Sequence, residues 1–150
     1  MLETHLNSNE REQGGFTHKF LVTFADLASQ TTANTAQAIT LKALPPGTLV
    51  KNVALSMPVA FQDLSDTGFN STAATVGDSG TANLFVTSTE LNVNGTEVYN
   101  KAGTGTQKAY DTANSLILTV NSMSGKSLSN IDAGKLYVLA EIVYLGQLGN

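Results

Sequence analysis

Thr75-Val76-Gly77-Asp78-Ser79-Gly80-Thr81-Ala82-Asn83-Leu84-Phe85-Val86-Thr87 is the stretch whose reading decides the fold. A short strand ends near Val76, Gly77-Asp78-Ser79-Gly80 has the residues of a tight turn, and a second strand leaves over Asn83 to Thr87. Glycine supplies backbone freedom there, and Asp and Ser side chains hydrogen-bond their own turn. On both sides of this stretch, strand-sized segments recur between turn clusters, and no convincing helix interrupts them.

Upstream, His18 to Ala25 alternates with a period of two, with Phe20, Val22 and Phe24 on one side and Lys19, Leu21 and Thr23 on the other. A second strand is expected over Gln37 to Ala43, with Ile39 and Leu41 inward and Thr40 and Lys42 outward. Leu44-Pro45-Pro46-Gly47 makes a rigid turn, because proline fixes φ and lacks a ladder donor. Thr48 to Phe61 then gives the clearest alternation, with Val53, Leu55, Met57, Val59 and Phe61 sharing a face. Pro58 marks this segment as an edge strand or as one that bends at a bulge. Its apolar stripe reads most simply as core, with an intersubunit face the alternative for part of it. Gln62 to Ala74 reads as a loop, with Phe69 its candidate anchor.

Downstream, Asn94-Gly95 suits the type I′ turn of a hairpin spanning Leu91 to Tyr99. Lys101 to Thr106 is a loop, strands follow at Lys108–Asp111 and Ser115–Asn121, and Ser122 to Gly134 is polar. Lys135 to Leu145 is apolar on both faces apart from Glu141, which points to a central, fully covered strand. Residues 1–15 have no periodicity and read as a flexible N-terminal arm, hinged at Gly14-Gly15 and able to order on a neighbour. The expectation is an all-β protein: an antiparallel β-sandwich, jelly-roll-like, with one domain over residues 16–150 behind that arm.

Composition narrows the function. The chain has 150 residues, enough to bury a core without staples, and no cysteine, which excludes disulfides and thiolate chemistry. Charged residues are only 13% and the net charge is −4. The Lys and Arg residues are scattered rather than clustered, so no nucleic-acid partner is expected. The apolar runs are too short to span a bilayer and Met1 to Gly15 lacks the apolar core of a signal peptide, so neither a membrane partner nor general export is expected. Thr, Ser and Asn supply the polar surface instead, and low charge weakens the repulsion that keeps protein surfaces apart.

No residue set assembles into catalytic, cofactor-binding or metal chemistry. Asp66-Thr67-Gly68 and Asp78-Ser79-Gly80 superficially suit an aspartic protease, but neither follows the hydrophobic strand that such chemistry needs, and both are ordinary turn sequences. His5 lies in the arm and His18 reads as a surface strand residue, so no triad or zinc site is expected. Asp63, Asp66, Asp78 and Asn70 offer oxygen ligands, but their spacing matches no calcium loop. Gly103-Thr104-Gly105-Thr106-Gln107-Lys108 lacks the ending of a phosphate loop. Asn70-Ser71-Thr72 and Asn94-Gly95-Thr96 are formal glycosylation sequons, which mean little where no signal peptide is expected. No catalytic, cofactor-binding or metal residues are therefore assigned.

Three stretches carry a family resemblance: Lys19-Phe20-Leu21-Val22-Thr23-Phe24-Ala25-Asp26-Leu27, Leu44-Pro45-Pro46-Gly47-Thr48-Leu49-Val50, and Val76-Gly77-Asp78-Ser79-Gly80 with Leu84-Phe85-Val86. With the closing apolar strand, they make residues 16–145 resemble tailed-bacteriophage capsid decoration, or cement, proteins of the head surface. Thr81-Ala82-Asn83 is neutral where such proteins tend to carry charge after the turn. The resemblance implies a non-enzymatic virion protein on the outer capsid surface, made in the host cytoplasm. Its partners would be the major capsid protein and itself, as a homo-oligomer such as a homotrimer. One alternative is a head-fibre, tail or receptor-binding component that touches glycans through Tyr99 and Tyr110. Another is a polysaccharide hydrolase using Asp63, Asp66, Asp78 or Glu90, which would need paired carboxylates in a cleft.

Overall fold

The computed structural model describes residues 1–7, 11, 15–92 and 99–147. Among these residues, ten strands form two antiparallel sheets. They are β1 (Leu2–His5), β2 (His18–Thr23), β3 (Gln37–Leu44), β4 (Thr48–Gln62), β5 (Thr72–Gly77), β6 (Val86–Glu90), β7 (Tyr99–Ala102), β8 (Lys108–Tyr110), β9 (Asn114–Ser122) and β10 (Ala133–Tyr144). One sheet runs β1-β2-β10-β4-β7, with β8 pairing with β4 beyond β7, and the other runs β3-β9-β5-β6. Inward residues of the two sheets meet in one core that includes Phe20, Leu55, Met57, Leu116, Leu118 and Val138. This is the β-sandwich expected from the short alternating segments. The hairpin expected at Asn94-Gly95 lies outside the described residues.

The longest strand shows how one proline redirects a pattern. Lys135 of β10 pairs with Val59 of β4, but Tyr137 pairs with Ser56, so β4 spends an extra residue across this step. Pro58 sits in that bulge, where its missing N–H is tolerated. An odd insertion swaps faces in a period-two strand. Val59 is therefore exposed at 44% rather than inward with Met57, while Ala60 and Phe61 are buried. The Phe61 ring then packs on Gly134 of β10, where an added Cβ would fall 2.4 Å from the ring.

Other expectations shift for local reasons. The strand expected to reach Ala25 stops at Thr23, because the Asp26 carboxylate accepts hydrogen bonds from the Thr23 N–H and hydroxyl. The chain turns there into a short 3₁₀ helix, Phe24–Leu27. Phe24 is turned outward and Leu27 is buried in its place. The strand expected from Asn83 starts at Val86, since the chain first folds back over Gly77. A Cβ on Gly77 would lie 1.9 Å from the Thr81 carbonyl oxygen, so only glycine fits. Phe69 anchors its loop, buried to 2% exposure.

The segment read as an arm contributes a strand. Leu2–His5 lines the open edge of β2, with Leu2 opposite Leu21 and His5 opposite His18. The Glu3 carboxylate accepts a hydrogen bond from Lys42 of the other sheet at 2.6 Å, and the Met1 amine pairs with Asp26. Leu6 is buried beneath. These contacts are all long-range, so the local sequence carries no sign of them. Pairing with β1 also changes His18: it is buried rather than on the surface, at 4% exposure. Its Nδ1 lies 2.7 Å from the Thr17 hydroxyl and its ring stacks on Phe20.

Candidate functional site

The Gly77-Asp78-Ser79-Gly80 turn is tied to the opposite sheet. Asp78 Oδ1 accepts hydrogen bonds from the N–H groups of Gly80 at 2.9 Å and Thr81 at 2.8 Å. Its Oδ2 accepts from Lys108 Nζ at 2.7 Å and from the Tyr110 hydroxyl at 2.9 Å, both on β8. The carboxylate side chain is fully buried, whereas Lys108 stays partly in water. Burial opposes the charge of Asp78. The hydrogen bonds from Lys108, Tyr110, Thr81 and Gly80 outweigh that penalty and hold the carboxyl below its ordinary range. Burial first, and then the neighbouring carboxylate, push the Tyr110 phenol well above its usual value. Tyr110 is buried to 4% exposure, which corrects the expectation that it offers an aromatic surface to glycans. The side chain of Tyr99 lies outside the described residues.

Asp66-Thr67-Gly68 repeats the device in simpler form. Asp66 Oδ1 accepts from the Gly68 N–H at 2.9 Å, and Oδ2 pairs with Lys126. The hydrogen bonds from Lys126 and Gly68 keep this carboxyl below its ordinary range. Asp63 Oδ1 accepts from the Ser65 and Asp66 N–H groups and from the Ser65 hydroxyl. Glu90 accepts from the Thr72 and Asn92 N–H groups and from the Ser71 hydroxyl. Each carboxylate considered for catalysis thus holds a turn or a strand end. The sequence marks the Asp residues as turn formers, but their partners Lys108, Tyr110 and Lys126 stand 30, 32 and 60 residues away and carry no local signal.

A cavity of about 200 Å³ opens beside the Asp63 loop, against Leu64, Phe69, Asn70 and Asn92. Asp63 is the one carboxylate among its described lining residues. Paired-carboxylate chemistry requires a second carboxyl across the substrate. Asn92 is also committed, its amide donating to the Phe69 carbonyl at 2.8 Å. Among the described residues, no group of three or more His, Cys, Asp or Glu side chains is placed to hold a metal ion, and no helix is long and apolar enough to cross a membrane.

The larger chemical asset is the outer face of the six-stranded sheet. β10, expected to be covered on both sides, is central but covered on one side only. Leu136, Val138, Ala140 and Ile142 are buried, while Lys135, Tyr137, Leu139, Glu141 and Val143 are half-buried on the outer face. Leu21 stands opposite Tyr137, and Lys19 opposite Leu139. Lys19 and Lys135 lie over the Tyr137 ring, 4.5 and 5.5 Å from its centre, so the ring and the lysine stems shield one another. Lys51 and Glu141 pair at 2.7 Å farther along.

No protein-family model matches this chain, and no curated protein matches it. Among solved structures, it is similar to a chain of the acidic stable capsid structure of Helicobacter pylori bacteriophage KHP30. That similarity has a TM-score of 0.44 and 15% identity, over 95% of each chain.

Proposed function

We infer that this protein is a structural virion component that works through its surfaces, decorating a bacteriophage head and binding across neighbouring major capsid subunits as a homo-oligomer. One observation carries the reading. The carboxylates that sequence analysis singled out are committed to backbone turns, lysines or a tyrosine, while a sheet face with apolar and basic side chains is open. The resemblance of residues 16–145 to capsid decoration proteins supports it and suggests three copies per oligomer. A protein that binds only the assembled shell stabilises it by mass action, and contacts repeated over a lattice add through effective concentration.

Quantitative mass spectrometry of purified particles tests the reading. Copies comparable in number to the major capsid protein are expected. A handful per particle would move the protein to a fibre or tail, and absence from particles would overturn the virion reading.

A further inference from the structure

The outer face of the six-stranded sheet carries positive charge that nothing on the face neutralises. Lys51 and Glu141 satisfy one another at 2.7 Å. Among the described residues, neither Lys19 nor Lys135 has a carboxylate partner. Both reach the Tyr137 ring instead, Lys135 from two residues before it on β10 and Lys19 from the diagonal position on β2. Two ammonium groups brought to one ring repel each other, and their attraction to the ring offsets only part of that. A carboxylate set between them would satisfy both. Apolar side chains surround this centre: Leu21 opposite Tyr137, Leu139 opposite Lys19, and the exposed Leu2 and Val59 on the flanking strands.

We propose that this face docks an acidic protein surface, one that sets Asp or Glu side chains between Lys19 and Lys135 and aliphatic side chains against Leu21 and Leu139. The proposal rests on the preceding reading, in which that surface belongs to the shell, and names its chemistry. Charge commits the occupant. Lys19, Lys51 and Lys135 meet only Glu141 on this face, although the whole chain carries −4. The attraction is therefore confined to the face. A long polyanion such as nucleic acid would run off the two lysines onto a chain of its own sign. A carboxylate cluster on a protein ends where the lysines end. The apolar residues decide in the same direction: Leu21 and Leu139 offer nothing to a phosphate backbone, but they bury well against aliphatic side chains. An aromatic ring among aliphatic residues, with charges around it, is the make-up of a protein–protein contact.

Particles assembled with each variant in place of the unaltered chain test it. They are washed at rising salt, and the copies retained per major capsid protein are counted by mass spectrometry. Lys19→Gln and Lys135→Gln are each expected to leave about threefold fewer copies after a high-salt wash, and the double variant about tenfold fewer. Thr119→Glu makes the same change in net charge on the opposite face and is expected to be retained like the unaltered chain. Circular dichroism of the free chains confirms that each variant is folded. Full retention of the lysine variants, or an equal loss of Thr119→Glu, would overturn the proposal and leave the virion reading in place. Absence of the unaltered chain from particles would overturn both. Two measurements on the free chain address other occupants. Self-association in sedimentation velocity that Lys135→Gln abolishes would give the face to a second copy. Binding of a single-stranded DNA oligonucleotide at physiological salt that the lysine variants abolish would give it to a polyanion. Either result would overturn the acidic protein surface.

Discussion

The two outer faces of the sandwich are built differently. On the four-stranded sheet, β5 and β9 carry no charged residue, and their outward side chains are Ala73, Thr75, Ser115, Ile117, Thr119 and Asn121. On the six-stranded sheet, the outward residues of β2 and β10 include Leu21, Tyr137, Leu139 and three charges, Lys19, Lys135 and Glu141. Inward, both sheets are alike, with fully buried leucine and valine. The difference therefore cannot come from the demands of folding. Threonine satisfies an exposed pleated surface by β propensity alone, and among the outward residues of β5 and β9 Ile117 is the one large apolar side chain. Half-buried Leu and Tyr beside lysines have the ingredients of an interface core and rim.

The sharpest way to test this contrast is within one strand. Leu118 of β9 is fully buried, and its neighbour Thr119 faces outward. Leu118→Ala is expected to lower unfolding free energy by about 3 kcal/mol, through lost burial and a residual cavity. Thr119→Ala should stay within about 0.5 kcal/mol. Urea unfolding of both variants measures the difference, and a large loss at Thr119 would mean that the neutral face is not merely solvated.

The faces can be compared as parts of one unit only if the sheets unfold together, and Asp78 is the test of that. Asp78→Ala removes the acceptor for two turn N–H groups and for Tyr110 on the opposite sheet. A loss of about 2 to 3 kcal/mol is expected, at the lower end for a broken buried pair because Lys108 can turn to water. A single transition seen by circular dichroism and tyrosine fluorescence would show that the sheets remain cooperative. The pH dependence follows from the same network. The folded Asp78 carboxyl sits below its ordinary value of 3.8, so its contribution is present above that pH and fades as pH falls through the lowered value. The folded Tyr110 phenol sits above its ordinary value of 10.0, so its contribution is full below that pH and fades as pH rises beyond it. Asp78→Asn should flatten the acid limb of stability against pH.

Much of this architecture was legible in the residues. The alternations at Phe20-Val22, Val53-Leu55-Met57 and Leu116-Leu118-Val120 located strands, and Pro58 marked an edge strand or a bulge, of which the structure has the bulge. The consequence of the bulge was less visible, because the face taken by Val59 depends on where β10 resumes its register. Phe24 misled for a related reason: it continued the period-two pattern, but Asp26 ended the strand with two hydrogen bonds. At the turn, Asp78 was readable as a local hydrogen-bonding residue, and its link to Lys108 and Tyr110 was not. Long-range pairs leave no periodicity, which is also why residues 1–15 read as an arm and His18 as exposed. The apolar outer positions of β10 were read as evidence of full cover, when the second face is in fact half open.

Removing Tyr137 should separate the two faces more gently than the core substitution does. The ring packs beneath Lys19 and Lys135, so Tyr137→Ala loses two cation–π contacts and part of a half-buried surface. About 1 kcal/mol of stability is expected to go, more than at Thr119 and less than at Leu118. A loss as small as at Thr119 would mean that the lysines merely pass over the ring.

A small effect is also expected at the edge, where Glu3 of the six-stranded sheet reaches Lys42 of the four-stranded one. Like Asp78 with Lys108, this pair links the sheets at a short distance, 2.6 Å against 2.7 Å. The environments differ. The Asp78 side chain is wholly buried and accepts four hydrogen bonds, while Glu3 is about a third exposed. Water and salt screen the outer pair, so Lys42→Met should cost less than about 1 kcal/mol, and less still at high ionic strength. Thermal melts of Lys42→Met at low and high salt measure this. A loss equal to that of Asp78→Ala would mean that β1 is a structural keystone; a minor loss leaves it as an edge strand that can be released while both faces stay in place.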